Sequence, residues 1–338
     1  MPARRNRGLT SITDRTHAAH AARRKRTPLS LREIEFTSAN DRDTIFAWVY
    51  EPATKTRGII HVIHGLGEHS RRYLRLITRL LDAGFVVVAD DHAGHGKTAM
   101  TSGVWADAGD DADRVVVADE RTLRDKVREL YPHLPYVVFG HSWGSMIARG
   151  LVSDDSDWLN GLILCGIAAE IHGIDSVLDR AALAAETDPT STATETYTTQ
   201  MFDGFTFRYG HDAFPTAWVA RDPGVVRDHA RDPFNNFGAP MSVRFICGFV
   251  DLYDAVNADT WYPTVRTDLP VLILAGDADP VGNYGEGAYH VGNALVASGH
   301  NDVRARIYTG FRHEVHNEPE IRDEVADEII AFAQRCGG

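Results

Sequence analysis

One stretch constrains this chain more than any other: Tyr136-Val-Val-Phe-Gly-His-Ser-Trp-Gly-Ser145. Residues 136–139 are a short β-branched and aromatic run, of the kind that forms a parallel strand buried on both faces. The run enters Gly140-His-Ser-Trp-Gly144, a G-x-S-x-G pattern, and residues 145–152 then read as an apolar-faced helix. Five residues of this pattern recur by chance. Between a strand and a helix they describe a tight turn that lifts the Ser142 hydroxyl above a sheet edge, facing the unpaired N–H groups of the next helix. Such a turn is strained, and Gly140 and Gly144 let the neighbouring chain come close.

The other strands follow from apolar runs bounded by turn residues. Residues 31–36 and 44–50 alternate as two antiparallel edge strands joined by a turn near residue 40. Residues 58–63, 85–89, 159–165, 270–275 and 303–308 are apolar strands, and helical spacing appears at 73–81, 115–130, 285–298 and 319–335. From about 166 to 262 the alternation stops, and the stretch is dense in aromatics such as Phe202, Phe205, Trp218, Phe237 and Trp261. The predicted fold class is α/β, a mostly parallel eight-stranded sheet with helices on both faces. Residues 29–165 and 263–338 make the core, and residues 166–262 an inserted lid.

Charge narrows the function. Residues 1–30 hold eight Lys/Arg against Asp14, a local +7, so the rest of the chain carries -19 of the net -12. An acidic body argues against a nucleic-acid partner. Residues 1–28 lack apolar periodicity and an apolar signal region, and read as a disordered basic tail able to touch anionic surfaces. Their Arg-rich, acid-poor composition also resembles an organellar transit peptide. No apolar run approaches the roughly 18 residues of a membrane span, so any contact with lipid is a transient one at its surface. Cys165, Cys247 and Cys336 are odd in number and far apart, which fits a reducing cytoplasm and suggests no metal or disulfide framework.

A serine hydroxyl is a weak nucleophile near neutral pH and needs a base, and the base needs a group to hold it. In this topology the acid and then the histidine follow the serine in loops after later strands. Gly276-Asp-Ala-Asp-Pro280 offers Asp277 and Asp279, of which Asp279, fixed by Pro280, is preferred. Gly310-Phe-Arg-His-Glu-Val-His-Asn317 offers His313 and His316. His313 is the better base because a loop residue short of the last helix can hang over the sheet edge; His316, close to that helix, reads as a capping or surface residue. Attack on a carbonyl also creates an oxyanion that wants two backbone N–H donors. Trp143, after the serine, supplies one, and Leu66, in the turn His64-Gly-Leu-Gly67, supplies the other.

Together, His64-Gly-Leu-Gly-Glu-His-Ser-Arg-Arg-Tyr73, Gly140-His-Ser-Trp-Gly-Ser145, Gly276-Asp-Ala-Asp-Pro280 and Gly310-Phe-Arg-His-Glu314 resemble the monoacylglycerol lipase and lysophospholipase group of α/β-hydrolases, the serine aminopeptidase S33-like group. The resemblance runs from about residue 31 to 335. It implies Ser142 as nucleophile, Asp279 as acid, His313 as base, and Leu66 and Trp143 as oxyanion donors, with no metal or organic cofactor. Its substrates are small-molecule acyl esters: monoacylglycerols, lysophospholipids or related esters. Aminopeptidases also belong to the group, and Asp203 or Glu170 would then bind the free amine. A hydrolase scaffold reduced to ligand binding is a third reading, which the complete set of motifs opposes. The chain departs from the group at Asp91-His-Ala-Gly-His-Gly-Lys-Thr98, where the usual arginine is missing. Oligomeric state is not legible in the sequence.

Overall fold

A computed structural model of the protein describes residues 31–153, 155–210 and 213–337. The basic tail expected over residues 1–28 lies outside them. Among the described residues, β1 (Leu31–Thr37), β2 (Thr44–Tyr50), β3 (Gly58–Ile63), β4 (Phe85–Asp91), β5 (Tyr136–His141), β6 (Gly161–Cys165), β7 (Val271–Gly276) and β8 (Val303–Tyr308) form one sheet. Their order across it is β1-β2-β4-β3-β5-β6-β7-β8. β2 pairs antiparallel with both β1 and β4, and every other pair is parallel. The opening hairpin therefore adds one reversed strand, where two were expected; β1 runs with the rest.

β3 to β7 are buried at every position, which is why they read as unbroken apolar runs. At the two edges, Glu33 and Glu35 on β1 and Arg304 and Arg306 on β8 are exposed, and charge there discourages pairing with another chain. The helices are α1 (Leu74–Asp82), α2 (Gly96–Ser102), α3 (Ala112–Leu130), α4 (Trp143–Val152), α5 (Arg180–Ala184), α6 (Glu195–Met201), α7 (Pro223–Arg231), α8 (Val243–Asn257), α9 (Glu286–Ala297) and α10 (Arg322–Cys336). α1 and α10 cover one face over Ile60, Val62 and Phe139. α3, α4, α8 and α9 cover the other over Ile59, Ile63 and Val138. α4 starts directly at Trp143, two residues before its predicted start, and α10 starts at Arg322, after a turn that takes up residues 319–321.

Among its described residues, the segment between β6 and β7 contributes no strand to the sheet and holds α5 to α8. Its last helix, α8, packs on α3 and α4. There the fully buried Arg149 of α4 donates to the carbonyls of Val256 and Ala168 and to Asn257 Oδ1. The stretch before α8 reaches across the carboxyl ends of the strands. His313 N and Glu314 N donate to the carbonyls of Trp218 and Val219 (3.3 and 2.8 Å), while Asn236 N and Phe237 N donate to the Gly67 carbonyl. No helix among the described residues is long and apolar enough to cross a membrane.

Candidate active site

The turn between β5 and α4 is as tight as its glycines require. Ser142 sits at φ 58°, ψ -123°, a left-handed conformation that a side chain rarely adopts. A Cβ on Gly140 would lie 2.3 Å from the Gly144 carbonyl oxygen, and one on Gly144 would lie 2.2 Å from that of Ile63. Real Cβ atoms do not come so near, so the start of α4 is pressed onto the end of β3 because neither residue has a side chain. Ser142 N donates to the Cys165 carbonyl (3.0 Å), which ties the turn to β6 as well.

Asp279 and His313 meet beside it. His313 Nδ1 stands 2.9 Å from Asp279 Oδ2, and both groups are buried. The carboxylate accepts from Nδ1–H, which leaves Nε2 as the acceptor nitrogen. Asp279 Oδ1 accepts from Val281 N (2.9 Å), so both of its oxygens are engaged. Burial lowers the His313 pKa, but the charge and hydrogen bond of Asp279, with Glu314 and Glu68 behind, outweigh it and the net shift is upward. Asp277 does another job: its Oδ1 accepts from Gly310 N and pins the turn that leads into the histidine loop.

Leu66 and Trp143 border the same cavity as Ser142 and His313. Trp143 N is the first amide of α4 and has no intrahelical acceptor. The Leu66 turn is held from both sides. Gly65 N donates to Glu68 Oε1 (2.6 Å), and the Gly67 carbonyl accepts from Asn236 and Phe237. The structure thus gathers four of the five expected residues around one cavity, with the fifth, Asp279, behind His313.

His316 corrects the expectation of a capping or surface residue. It is buried, stacked on Tyr73 (ring centroids 5.0 Å, 5° between planes), and burial lowers its pKa to about 3.

A charged network around the site was not assigned from the sequence. Arg72 donates through Nη2 to both Glu314 oxygens (2.8 Å each) and through Nε to Glu68 Oε2 (3.2 Å). Glu68 Oε1 also accepts from Tyr73 Oη (2.6 Å), and His141 Nδ1 lies 3.1 Å from it. Burial pushes the Glu314 carboxyl up, yet the Arg72 charge wins and lowers it to about 2. Glu68 is likewise held well below its ordinary value by His141 and Arg72 against the effect of burial. Glu68 and Tyr73 stand in the quoted motif after the glycine turn, and Glu314 follows His313; these positions were the available signal.

The cavity is narrow: its roughly 490 Å³ takes in all space between atoms, open solvent included. Phe202, Phe205, Trp218, Phe237 and Phe249 line it, and Glu68, His141, His229 and Glu314 also border it. Glu170 and Asp203 do not border it. Glu170 instead contacts Asn283 and His290, and Asp203 contacts His172.

Comparison with known proteins places this arrangement. The profile of the family described as serine aminopeptidase, S33 matches residues 54–320. The chain belongs to that family. A solved lipase in an open form is 52% identical, with a TM-score of 0.88 over 91% of this chain and 99% of that one. A highly thermostable carboxyl esterase from Bacillus coagulans, solved in complex with glycerol, is 44% identical, with a TM-score of 0.88 over 92% and 100% of the two chains. The monoacylglycerol lipase of Mycolicibacterium smegmatis is 28% identical over 292 residues, 84% of this chain and 91% of that protein. The fold is that of the α/β-hydrolases, and this family member is a carboxylic ester hydrolase.

Proposed function

We propose that this hydrolase cleaves monoacylglycerols or closely related acyl esters through a covalent acyl-enzyme. Ser142 Oγ attacks the ester carbonyl while His313 Nε2 takes its proton, and Asp279 orients and stabilises the imidazolium. The N–H groups of Leu66 and Trp143 receive the charge that develops on the carbonyl oxygen. His313 then gives the proton to the departing alkoxide, releasing the alcohol. In the second half a water, deprotonated by His313, attacks the acyl carbonyl; the collapse frees the carboxylic acid and returns the proton to Ser142. Residues 166–262 act as the lid on the core of residues 29–165 and 263–338. No step needs a metal or organic cofactor, and the widely separated thiols suit a reducing cytoplasm.

One observation carries the choice of substrate: the cavity that Ser142 and His313 border is lined mainly by aromatic and aliphatic side chains, with Glu68, His141, His229 and Glu314 among them. An acyl chain suits the apolar lining, and a neutral polyol the polar groups among it. A phosphate headgroup would face Glu68 and Glu314, which speaks for monoacylglycerols over lysophospholipids. The amine of a peptide would need a free carboxylate, but both carboxylates at the cavity are already paired with Arg72. The monoglyceride lipases of human and mouse, each 25% identical over about nine-tenths of both chains, support the same reading.

The test is kcat/KM for C2 to C12 p-nitrophenyl esters and matching 1-monoacylglycerols, beside alanine p-nitroanilide. Each buried methylene contributes about 0.8 kcal/mol, so kcat/KM rises roughly fourfold per CH₂ until the pocket is full. A flat profile, a preference for acetate, or faster cleavage of the anilide overturns the assignment.

A further inference from the structure

The motif Asp90-Asp-His-Ala-Gly-His-Gly96 takes no part in the chemistry above, yet it borders the most polar spot in the hydrophobic layer under α3. His61 on β3 and Asp90 on β4 point to the same face, since His61 pairs with Val88 and Asp90 lies two residues further along. Glu120 reaches down from α3. All three side chains are fully buried or nearly so, among Ile59, Ile63, Val88, Val116, Leu123 and Val138. A ligand atom from each lies within 4.8 Å of the others. His92 joins them, its Nδ1 3.2 Å from Asp90 Oδ2 and 3.3 Å from Glu120 Oε1.

The hydrogen bonding here does not close. His61 Nδ1 is engaged with the Tyr136 hydroxyl (3.0 Å), which orients the ring and turns Nε2 inward. His61 Nε2 then stands 2.8 Å from Glu120 Oε2 without hydrogen-bond geometry. Among the described residues, Asp90 Oδ1 and both Glu120 oxygens also have no hydrogen-bond donor. Three buried carboxylate oxygens and the Nε2 of His61, facing one another in an apolar layer, are costly unless protons or a cation lie between them. Protons on Glu120 and His92 serve these atoms pair by pair; a divalent cation serves them all at once and balances two carboxylates.

We propose that His61, Asp90 and Glu120, with His92 as the fourth donor, form a structural site for a borderline divalent cation of the zinc class. Imidazole nitrogen with carboxylate oxygen is a donor set that zinc, cobalt or iron accepts, whereas calcium and magnesium want six or more oxygens. The His92 contacts with the two carboxylates are close to the edge of a tetrahedron built on bonds of about 2.0–2.1 Å, roughly 3.4 Å. The hydrogen bond from His61 Nδ1 to Tyr136 is the kind of support that metal-bound histidines receive through their other nitrogen. The cation would staple β3, β4 and α3 together beneath the oxyanion turn. His92 N donates to His64 Nε2 (3.1 Å) and the two rings stack at 3.8 Å, directly before Gly65 and Leu66.

The experiment is metal analysis of the full chain, expressed with added zinc and dialysed, followed by unfolding in guanidinium with EDTA and refolding with and without Zn²⁺ or Co²⁺. The expected result is about one equivalent of metal per chain and a Tm about 5 °C or more higher after refolding with zinc. Refolding with cobalt gives the visible absorption of a four-coordinate ion, and magnesium gives neither effect. The His61→Leu chain, which keeps the tail histidines, loses the equivalent and the Tm shift. Less than about a tenth of an equivalent of any transition metal, with no Tm response to zinc, overturns the proposal. So does a His61→Leu chain that still binds one equivalent. Should that variant not fold, the cobalt spectrum of the unaltered chain decides alone.

Discussion

Gly144→Ala isolates the geometry of the serine turn from its chemistry. The new methyl carbon would stand 2.2 Å from the Ile63 carbonyl oxygen and 2.5 Å from that of His64. A carbon tolerates a carbonyl oxygen at about 3.3 Å, so the contact is roughly 1 Å too short. Both oxygens belong to backbone at the end of β3, which cannot swing aside as a side chain can; α4 must lift instead. Its first residue is Trp143, so the lift moves the amide proposed as an oxyanion donor and the Ser142 hydroxyl away from the Leu66 turn. A misplacement of about 1 Å at the reacting atoms costs on the order of 10² in kcat. Overpacking adds about 1–3 kcal/mol of destabilisation, a fall in Tm of roughly 2–6 °C in a chain of this size. Gly150→Ala on the same helix is the control. There the nearest atom is the side-chain Cγ2 of Val117, at 2.9 Å, which can rotate. Measured on p-nitrophenyl butyrate, Gly150→Ala stays within about twofold of the unaltered enzyme, because alanine also favours the helix. Gly144→Ala with kcat within that same twofold refutes the argument that close approach, and not chance, put glycine there.

Two further outcomes follow from the acid and the base. Asp279→Asn lowers kcat by roughly 10⁴, because the imidazole loses the partner that fixes its tautomer. Asp277→Asn, which weakens only the turn at Gly310, costs far less; the reverse ranking in steady-state kinetics would transfer the acid's role to Asp277. The pH profile has a defined sign: His313 must be neutral to accept a proton, and its pKa is raised above the ordinary 6.5, chiefly by Asp279 against the effect of burial. Activity is therefore present at alkaline pH and lost as pH falls through a midpoint above 6.5. A midpoint of kcat/KM below that value contradicts the electrostatics described for the pair.

The sheet was legible because parallel strands buried on both faces leave unbroken runs such as Val271 to Ala275, and because glycine and aspartate mark their ends. The loops carrying Asp279 and His313 were legible by chain order, and the two residues do stand in contact. α8 was not: its outward stripe, half-buried Arg244 and Cys247 with exposed Asp251 and Asp254, is narrow beside the apolar faces that pack on α3 and α4, and Gly248 interrupts it. That glycine is there for contact, since a Cβ on it would lie 2.8 Å from the Cβ of Ala112. α2, about two short turns long, carries no clear period. The network of Arg72 with Glu314 joins residues 242 positions apart, and no local pattern announces such a pair. His316 misled for the same reason: its burial depends on Tyr73, far away in the chain.

The central claim is that Ser142 is the nucleophile of an acyl-enzyme, and the turnover of a folded Ser142→Ala enzyme tests it most directly. With p-nitrophenyl butyrate as substrate and circular dichroism to confirm the fold, kcat is predicted to fall on the order of 10⁶. An unchanged fold with near-normal turnover would mean that another residue attacks the ester, and the mechanism built on this turn would have to be abandoned.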